Sequence, residues 1–251
     1  MEKLKNKRVL ITGASSGIGK AAAILLGQQG VELFLLARRE EKLLEVKRLI
    51  GDKTKVEILV ADVNDKNISE KLASFTSEKV DILINNAGLA LGRDKVDHSL
   101  WEDMEGMIQT NITANFRIAH TIVPWMLKAG GGDIINLCSI AGHHTYPGGA
   151  IYCATKHAVL AFTRALREET AGKNLRVMQI SPGMVDTDFS TVRFKGNSEL
   201  ADSVYQGMEP LLAEDIAEMM LFMLSRPRHV VIDEIITMPS AQGSPTTVVR
   251  K

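Results

Sequence analysis

Short, continuously apolar runs alternate along this chain with longer stretches in which apolar residues recur at helical spacing. The runs are RVLIT, VELFLLA, VEILVA, VDILIN, DIINLCS, LRVMQIS and VVIDEIITM. Each is strand-sized, rich in Val, Ile and Leu, and apolar at successive positions, as strands covered on both faces must be. Strand and helix patterns in strict alternation predict a parallel sheet of about seven strands with helices on both faces. The helical stretches start near Gly19, Glu40, Asn67, Leu100 and Ile151, with Gly30 and Gly130 to Gly132 as stops. Residues 183–212 break the rhythm before a last helix, AEDIAEMMLFML, and a long insertion of that kind is expected to be a lid or binding loop. No linker, repeat or low-complexity segment interrupts the pattern, so residues 1–251 are expected to form a single α/β domain.

Composition narrows the function classes. Thirty basic and thirty acidic residues cancel, which leaves no global field for nucleic acid or an anionic membrane and favours a small-molecule substrate. The first apolar run is too short for a signal peptide and stops at a glycine turn, and no apolar stretch approaches the roughly 20 residues of a membrane span. Two cysteines, Cys138 and Cys153, give no disulfide framework and suit a reducing compartment, so a cytoplasmic location is expected. They read as small buried hydrophobes. His143 and His144 adjoin each other in a presumptive loop without further ligating partners, and no metal site is expected.

The first strand runs into TGASSGIGKAAAILLGQQG, which puts Gly13, Gly17 and Gly19 between a strand and a helix. Glycine there lets backbone approach a ligand, and the helix N-terminus offers N–H groups and a positive dipole end to a pyrophosphate. The spacing, G-x-x-x-G-x-G, also suits a merely tight turn. The second strand ends at Ala37, where an acid for a ribose hydroxyl would stand in an NAD site; Arg38 and Arg39 follow. Two readings are open: guanidinium groups for the 2′-phosphate of NADP, or an exposed helix lead-in paired with Glu40 and Glu41. Asp62 with Val63, and Asn85 to Gly88, close the third and fourth strands at the ligand-binding edge of such a sheet.

In AIYCATKH, Tyr152 and Lys156 stand one helical turn apart on one face. Ser139 ends the fifth strand thirteen residues earlier, close enough in sequence for a turn to bring its hydroxyl to the phenol. A free tyrosine, with a pKa of about 10, is a poor base near neutrality. An ammonium at about 5 Å in an effective dielectric near 20 favours the phenolate by roughly 3 kcal/mol, about two pKa units. An oxidised nicotinamide adds a second positive charge. The set would then remove a proton from an alcohol, with Ser139 donating to the substrate oxygen. Asn111, polar inside the helical pattern from Leu100 to Leu127, is expected to hold a water relaying protons from Lys156. Structural alternatives stand beside each: a turn cap for Ser139, a core aromatic for Tyr152, a snorkelling Lys156, a helix-bonded Asn111.

Taken in order, TGASSGIG, NNAG, Asn111, Ser139, Tyr152 with Lys156, and SPGMVDTD resemble the short-chain dehydrogenase/reductase family over nearly the whole chain. The resemblance implies a Rossmann-type, doubly wound sheet. It implies Tyr152 as acid-base, Lys156 on the nicotinamide ribose, Ser139 as substrate orienter and Asn111 in the relay. It further implies a cofactor held by Gly13, Ser15, Ser16, Gly17, Ile18 and Gly19, by Asp62 and Val63 at adenine, and by Asn85, Ala87 and Gly88 near ribose. Pro182, Gly183, Val185 and Thr187 would follow at the nicotinamide end, with Val185 and Thr187 at its carboxamide.

DFSTVRFKGN, VYQGMEPLLAEDIAE and HVVIDEIITMPSAQ are similar to the NADP-dependent 3-hydroxy acid dehydrogenases, a branch that oxidises L-allo-threonine and serine and reduces malonic semialdehyde. That likeness implies a homotetramer. Arg193, in the loop expected over the substrate, either pairs with a carboxylate or is a surface residue beside Lys195. His143 stands where that branch has arginine in its SIAGR stretch. The expectation is an oxidoreductase moving hydride between NADP(H) and a small 3-hydroxy acid. The alternatives are a neutral ketone, aldehyde or 3-oxoacyl substrate, or a nucleotide-sensing protein without turnover.

Overall fold

The computed structural model describes residues 4–52 and 54–251. Seven parallel strands form one sheet in the order β3-β2-β1-β4-β5-β6-β7. They are β1 (Arg8–Thr12), β2 (Glu32–Ala37), β3 (Val56–Val60), β4 (Ile82–Asn85), β5 (Gly132–Leu137), β6 (Leu175–Pro182) and β7 (Glu234–Thr237). Successive strand residues face opposite layers: Val9 and Ile11 pack with Leu33 and Leu35 on one side, Leu10 with Phe34 and Leu36 on the other. Full burial of such side chains contributes about 1.5–3 kcal/mol each, so the pattern that specifies both layers also holds them together.

On the first face lie α1 (Gly17–Gly27) and α9 (Ala213–Ser225), whose Leu26, Ile216, Ala217 and Met220 enter that core. The opposite face is covered by α3 (Ile68–Thr76), α5 (Asn115–Lys128) and α6 (Ala150–Glu169), through Leu72, Ile118, Ile122 and Leu166. The helix α2 (Glu40–Ile50) buries only Leu43 and Val46, and is favoured electrostatically by Glu40 and Glu41 in its first turn and Lys47 and Arg48 in its last. Chain direction across the sheet reverses between β1 and β4, which opens a crevice at the carboxyl ends of those strands.

Three segments depart from the sequence pattern. The stretch expected as one helix from Leu100 divides into α4 (Trp101–Ile108), a wider π-helical segment at Gln109–Ala114, and α5. Such an insertion changes which side chains face the sheet and recurs at functional positions. The last strand is shorter than its apolar run, because the segment before it is drawn off: Arg176 Nη1 donates to the Val230 carbonyl at 3.2 Å. The insertion at 183–212 carries two short helices, α7 (Asp188–Arg193) and α8 (Ser198–Ser203), capped by Thr187 and Asn197. Its ends are pinned where Leu211 N donates to the Met184 carbonyl and Asp186 N to the Leu211 carbonyl, making it a closed flap.

Candidate active site

A cleft of about 410 Å³ opens at the crevice and extends under the flap. Its floor at one end is the glycine turn. Gly13 has φ +66°, and a Cβ there would stand 2.9 Å from Asn86 Nδ2 and 3.1 Å from the Ala87 Cα. Only a residue without a side chain lets β1 and β4 end this close together. The junction is sewn by Thr12 Oγ1, which accepts from Asn86 N at 3.0 Å and Ala87 N at 2.9 Å, and by Asn86 Nδ2, which donates to the Thr12 carbonyl at 2.9 Å. The N-cap Ser16 spends no side-chain bond on the first turn of α1; its hydroxyl accepts from Arg39 Nη2 at 2.8 Å. Backbone N–H groups at a helix start, beside Gly17 at φ +50°, fit a pyrophosphate.

Ser15, Ser16, Gly17 and Ile18 line this cleft, as do Asp62, Val63, Ala87 and Gly88, and at the other end Pro182, Gly183, Val185 and Thr187. Two residues expected at the cofactor do not line the cleft. Gly19 is buried, and a Cβ there would lie 2.4 Å from the Gly13 carbonyl oxygen, so this glycine seats α1 on its own turn. Asn85 points away: its Nδ2 donates to the Asn115 carbonyl at 3.0 Å, deep behind β4, and Asn86 is the residue at the cleft. Arg38 and Arg39 both border the cleft, and their carboxylate neighbours are Asp62, 3.7 Å from Arg38, and Asp188, 3.7 Å from Arg39, not Glu40 or Glu41. Both guanidinium groups are exposed at the end of β2.

Ser139, Tyr152 and Lys156 line the middle of the same cleft. Ser139 N-caps a single 3-10 turn, Ile140–Gly142, with Oγ accepting from Ala141 N at 3.1 Å and donating to the Pro182 carbonyl at 3.4 Å. Lys156 Nζ donates to the Leu137 carbonyl at 3.0 Å and stands 5.8 Å from the centroid of the Tyr152 ring. Burial pushes the Tyr152 pKa well above the ordinary tyrosine value, reinforced by Tyr146 and opposed by the Ser139 hydroxyl and Arg193. Burial likewise pulls Lys156 below the usual lysine value. For both groups the cost of leaving water is the largest effect.

Asn111 sits in the π segment and is buried. Its Nδ2 donates to the Leu89 carbonyl at 2.7 Å and to Thr155 Oγ1 at 3.1 Å, and its Oδ1 accepts from Leu89 N at 2.8 Å. Both amide hydrogens are therefore committed, and the side chain staples the loop after β4 to α6. Gly88 makes room for this: a Cβ there would lie 3.3 Å from Asn111 Oδ1 and 3.6 Å from Lys156 Nζ.

Under the flap, Arg193 at the end of α7 donates from Nη2 to the Tyr146 hydroxyl at 3.0 Å and from Nε to the Gly92 carbonyl at 3.2 Å. Phe189, on the same helix, tilts against Tyr152 with ring centroids 5.7 Å apart. Tyr146 went unnoticed in the sequence. Its one local signal is the glycine pair after it: a Cβ on Gly149 would overlap the Tyr146 ring at 2.2 Å, so the ring lies flat on that backbone.

A family model described as short chain dehydrogenase matches residues 7–198, covering the glycine turn and the Ser139, Tyr152 and Lys156 set. The chain belongs to the short-chain dehydrogenase family. Among its relatives, the NADP-dependent 3-hydroxy acid dehydrogenase of Schizosaccharomyces pombe is 44% identical over 100% of this chain and 99% of that protein. Sulfoacetaldehyde reductase 2 of Chromohalobacter salexigens is 37% identical, over 94% of this chain and 95% of its own. The solved closed form of a serine dehydrogenase complexed with NADP+ superposes with a TM-score of 0.90 at 38% identity, covering 97% of this chain and 99% of that one.

Cys138 and Cys153 are free and buried, and the Cys138 thiol donates to the Lys156 carbonyl at 3.2 Å. No helix among the described residues is long and apolar enough to cross a membrane, and no three His, Cys, Asp or Glu side chains among them gather around a metal-sized space.

Proposed function

We propose that this protein moves a hydride between NADP(H) and the hydroxyl-bearing carbon of a small 3-hydroxy acid. The observation that carries the substrate class is the Arg193 guanidinium set beside the Tyr146 hydroxyl in the cleft of Tyr152. An apolar cleft that holds one guanidinium and one phenol next to its acid-base group suits a small anion with its alcohol a few bonds away. The arginines after β2, the glycine turn and the free start of α1 support NADP as the dinucleotide, in line with the names of two relatives.

Bound along the cleft, NADP(H) supplies the hydride chemistry. The protein does the rest. Ser139 turns its hydroxyl proton from the Pro182 carbonyl, a long contact at 3.4 Å, to the substrate oxygen and fixes its distance from the phenol. Tyr152, held protonated by its burial, gives its proton to that oxygen in the reductive direction and must be relieved of it in the oxidative one. Lys156, anchored on Leu137, supplies positive charge below the phenol, and Arg193 with Tyr146 grips the acid group. Asn111 acts through the loop it holds. We infer a cytoplasmic location and a homotetramer, the latter supported by the exposed Ile236 on the edge strand β7 and Phe222 on α9.

The experiment is a spectrophotometric panel of 3-hydroxy acids, one hydroxysulfonate and matched neutral alcohols, each with NADP and NAD. Preference for acids with NADP is expected. Equal use of neutral alcohols overturns the substrate class, and equal use of NAD the cofactor.

A further inference from the structure

The turn that carries Ser139 is tied down on its far side by a half-buried cluster that proton transfer does not use. The 3-10 turn Ile140–Gly142 ends at His143. His143 Nε2 donates to Glu234 Oε1 at 2.6 Å, and the same oxygen receives Ser181 Oγ at 2.5 Å and Gln179 Nε2 at 2.7 Å. The Glu234 side chain is only 11% exposed, and its Oε2 has Arg164 at 3.7 Å, a longer and more exposed pairing. Burial raises the Glu234 pKa, but the bonds from Ser181, His143 and Gln179 outweigh it and hold the carboxyl below the ordinary value. A buried carboxylate must keep its donors, so this cluster resists displacement of any of them.

Its geometry closes on the active site. Ser181 precedes Pro182, whose carbonyl accepts from Ser139 Oγ. A circuit runs from Ser139 through the turn to His143, across to Glu234, to Ser181 and Pro182, and back to the Ser139 hydroxyl. The same turn rests on the catalytic helix: a Cβ on Gly142 would lie 2.7 Å from Cys138 Sγ and 3.0 Å from the Lys156 carbonyl oxygen. Moving His143 therefore moves both the serine hydroxyl and the backbone that presents Lys156.

We propose that His143, with Glu234 as its acceptor, is a positioning residue that holds the Ser139 turn in register with Tyr152. The proposal rests on Ser139 being the group that orients the substrate oxygen.

The test compares His143→Ala with His143→Gln, whose amide N–H reaches near the Nε2 position, in the full-length protein. His143→Ala is expected to lower kcat by roughly 10- to 100-fold, the scale of a misplaced reacting group, with NADPH affinity and thermal midpoint near wild type. His143→Gln is expected to return kcat to within about threefold of wild type, the cost of exchanging one N–H donor for another. Glu234→Gln in combination with His143→Ala should add little to the single loss, because both remove one link. Unchanged turnover in His143→Ala, equal losses in Ala and Gln, or a loss explained by falling cofactor affinity and midpoint would each overturn the proposal. Ser139→Ala is run alongside: if it keeps full turnover, the serine reading fails, whereas its collapse together with an active His143→Ala refutes the positioning role alone.

Discussion

The guanidinium carbon of Arg193 stands 5.4 Å from the centroid of the Tyr152 ring, while its Nη2 donates to the Tyr146 hydroxyl at 3.0 Å. One arginine thus ties the flap to the loop before α6 and places a cation over the phenol. It also leans on the Gly92 carbonyl, and Gly92 N returns a bond to the Arg193 carbonyl at 2.9 Å, so the residue is held at both ends.

Removing that cation should separate acid from neutral substrates. Arg193→Met is expected to raise KM for hydroxy acids about 10- to 100-fold, the range of a hydrogen bond to a charged group, and to change KM for neutral alcohols little. Tyr146→Phe should show the same sign with a smaller size. Steady-state kinetics on both substrate classes checks this, and a uniform rise across the two classes would assign Arg193 to flap closure alone.

Arg38 follows the end of β2 with its side chain 68% exposed and only Asp62 nearby, at 3.7 Å. Arg38→Gln should weaken NADP about tenfold or more, the worth of a lost charge-assisted contact, and leave NAD nearly as before. Titration of protein fluorescence with each nucleotide measures it. Parallel losses for the two nucleotides count against a 2′-phosphate contact.

The raised phenol pKa sets the direction of the pH response. Tyr152 in its protonated form is the proton donor for reduction, and it persists up to its elevated pKa; the base needed for oxidation is scarce below it. Reductive kcat/KM should therefore stay level from about pH 6 to about pH 9, while oxidative kcat/KM climbs throughout that range. Tyr152→Phe should lower both by roughly 10²- to 10⁴-fold without loss of NADPH binding. A reductive profile that breaks near neutrality would show that another group supplies the proton.

At the opposite edge of the sheet, Arg176 and Asp133 form a buried pair, with Nε and Nη2 each donating at 2.7 Å to the two carboxylate oxygens. Arg176 also gathers the carbonyls of Leu224, Arg226 and Val230, so it joins β5 and β6 to the end of α9. Arg176→Met leaves Asp133 with Arg228 as its remaining cation and is expected to cost about 3 kcal/mol, the lower end for breaking a buried pair. Chemical denaturation with activity measured in parallel checks it; specific activity of the folded fraction should be unaltered.

How far the sequence could be read depends on the range of the interaction concerned. Tyr152 and Lys156 were legible because four residues on a helix fix their common face, and Ser139 because strand five ends at the ligand-binding edge. Arg38 and Arg39 were legible through the acid missing at Ala37. Asn85 and Asn86 were not separable, since alternate strand residues face opposite layers and the strand's last paired residue, Asn85, is set by its partner Asn136 on β5. The break in the helix at Asn111 was equally hidden, because a polar residue in an apolar pattern does not say whether the helix or the side chain gives way.

The alternation of strand and helix, the doubly covered sheet, the glycine turn and the tyrosine–lysine pair were determined by the sequence itself, because period and steric demand are local properties of a chain. The tertiary structure alone decided that Tyr146 meets Arg193, that His143 meets Glu234 ninety-one residues away, and that burial pushes the phenol's pKa up. Those outcomes depend on which distant surfaces close over a group and how much water they remove from it, and no spacing along the chain encodes that sum.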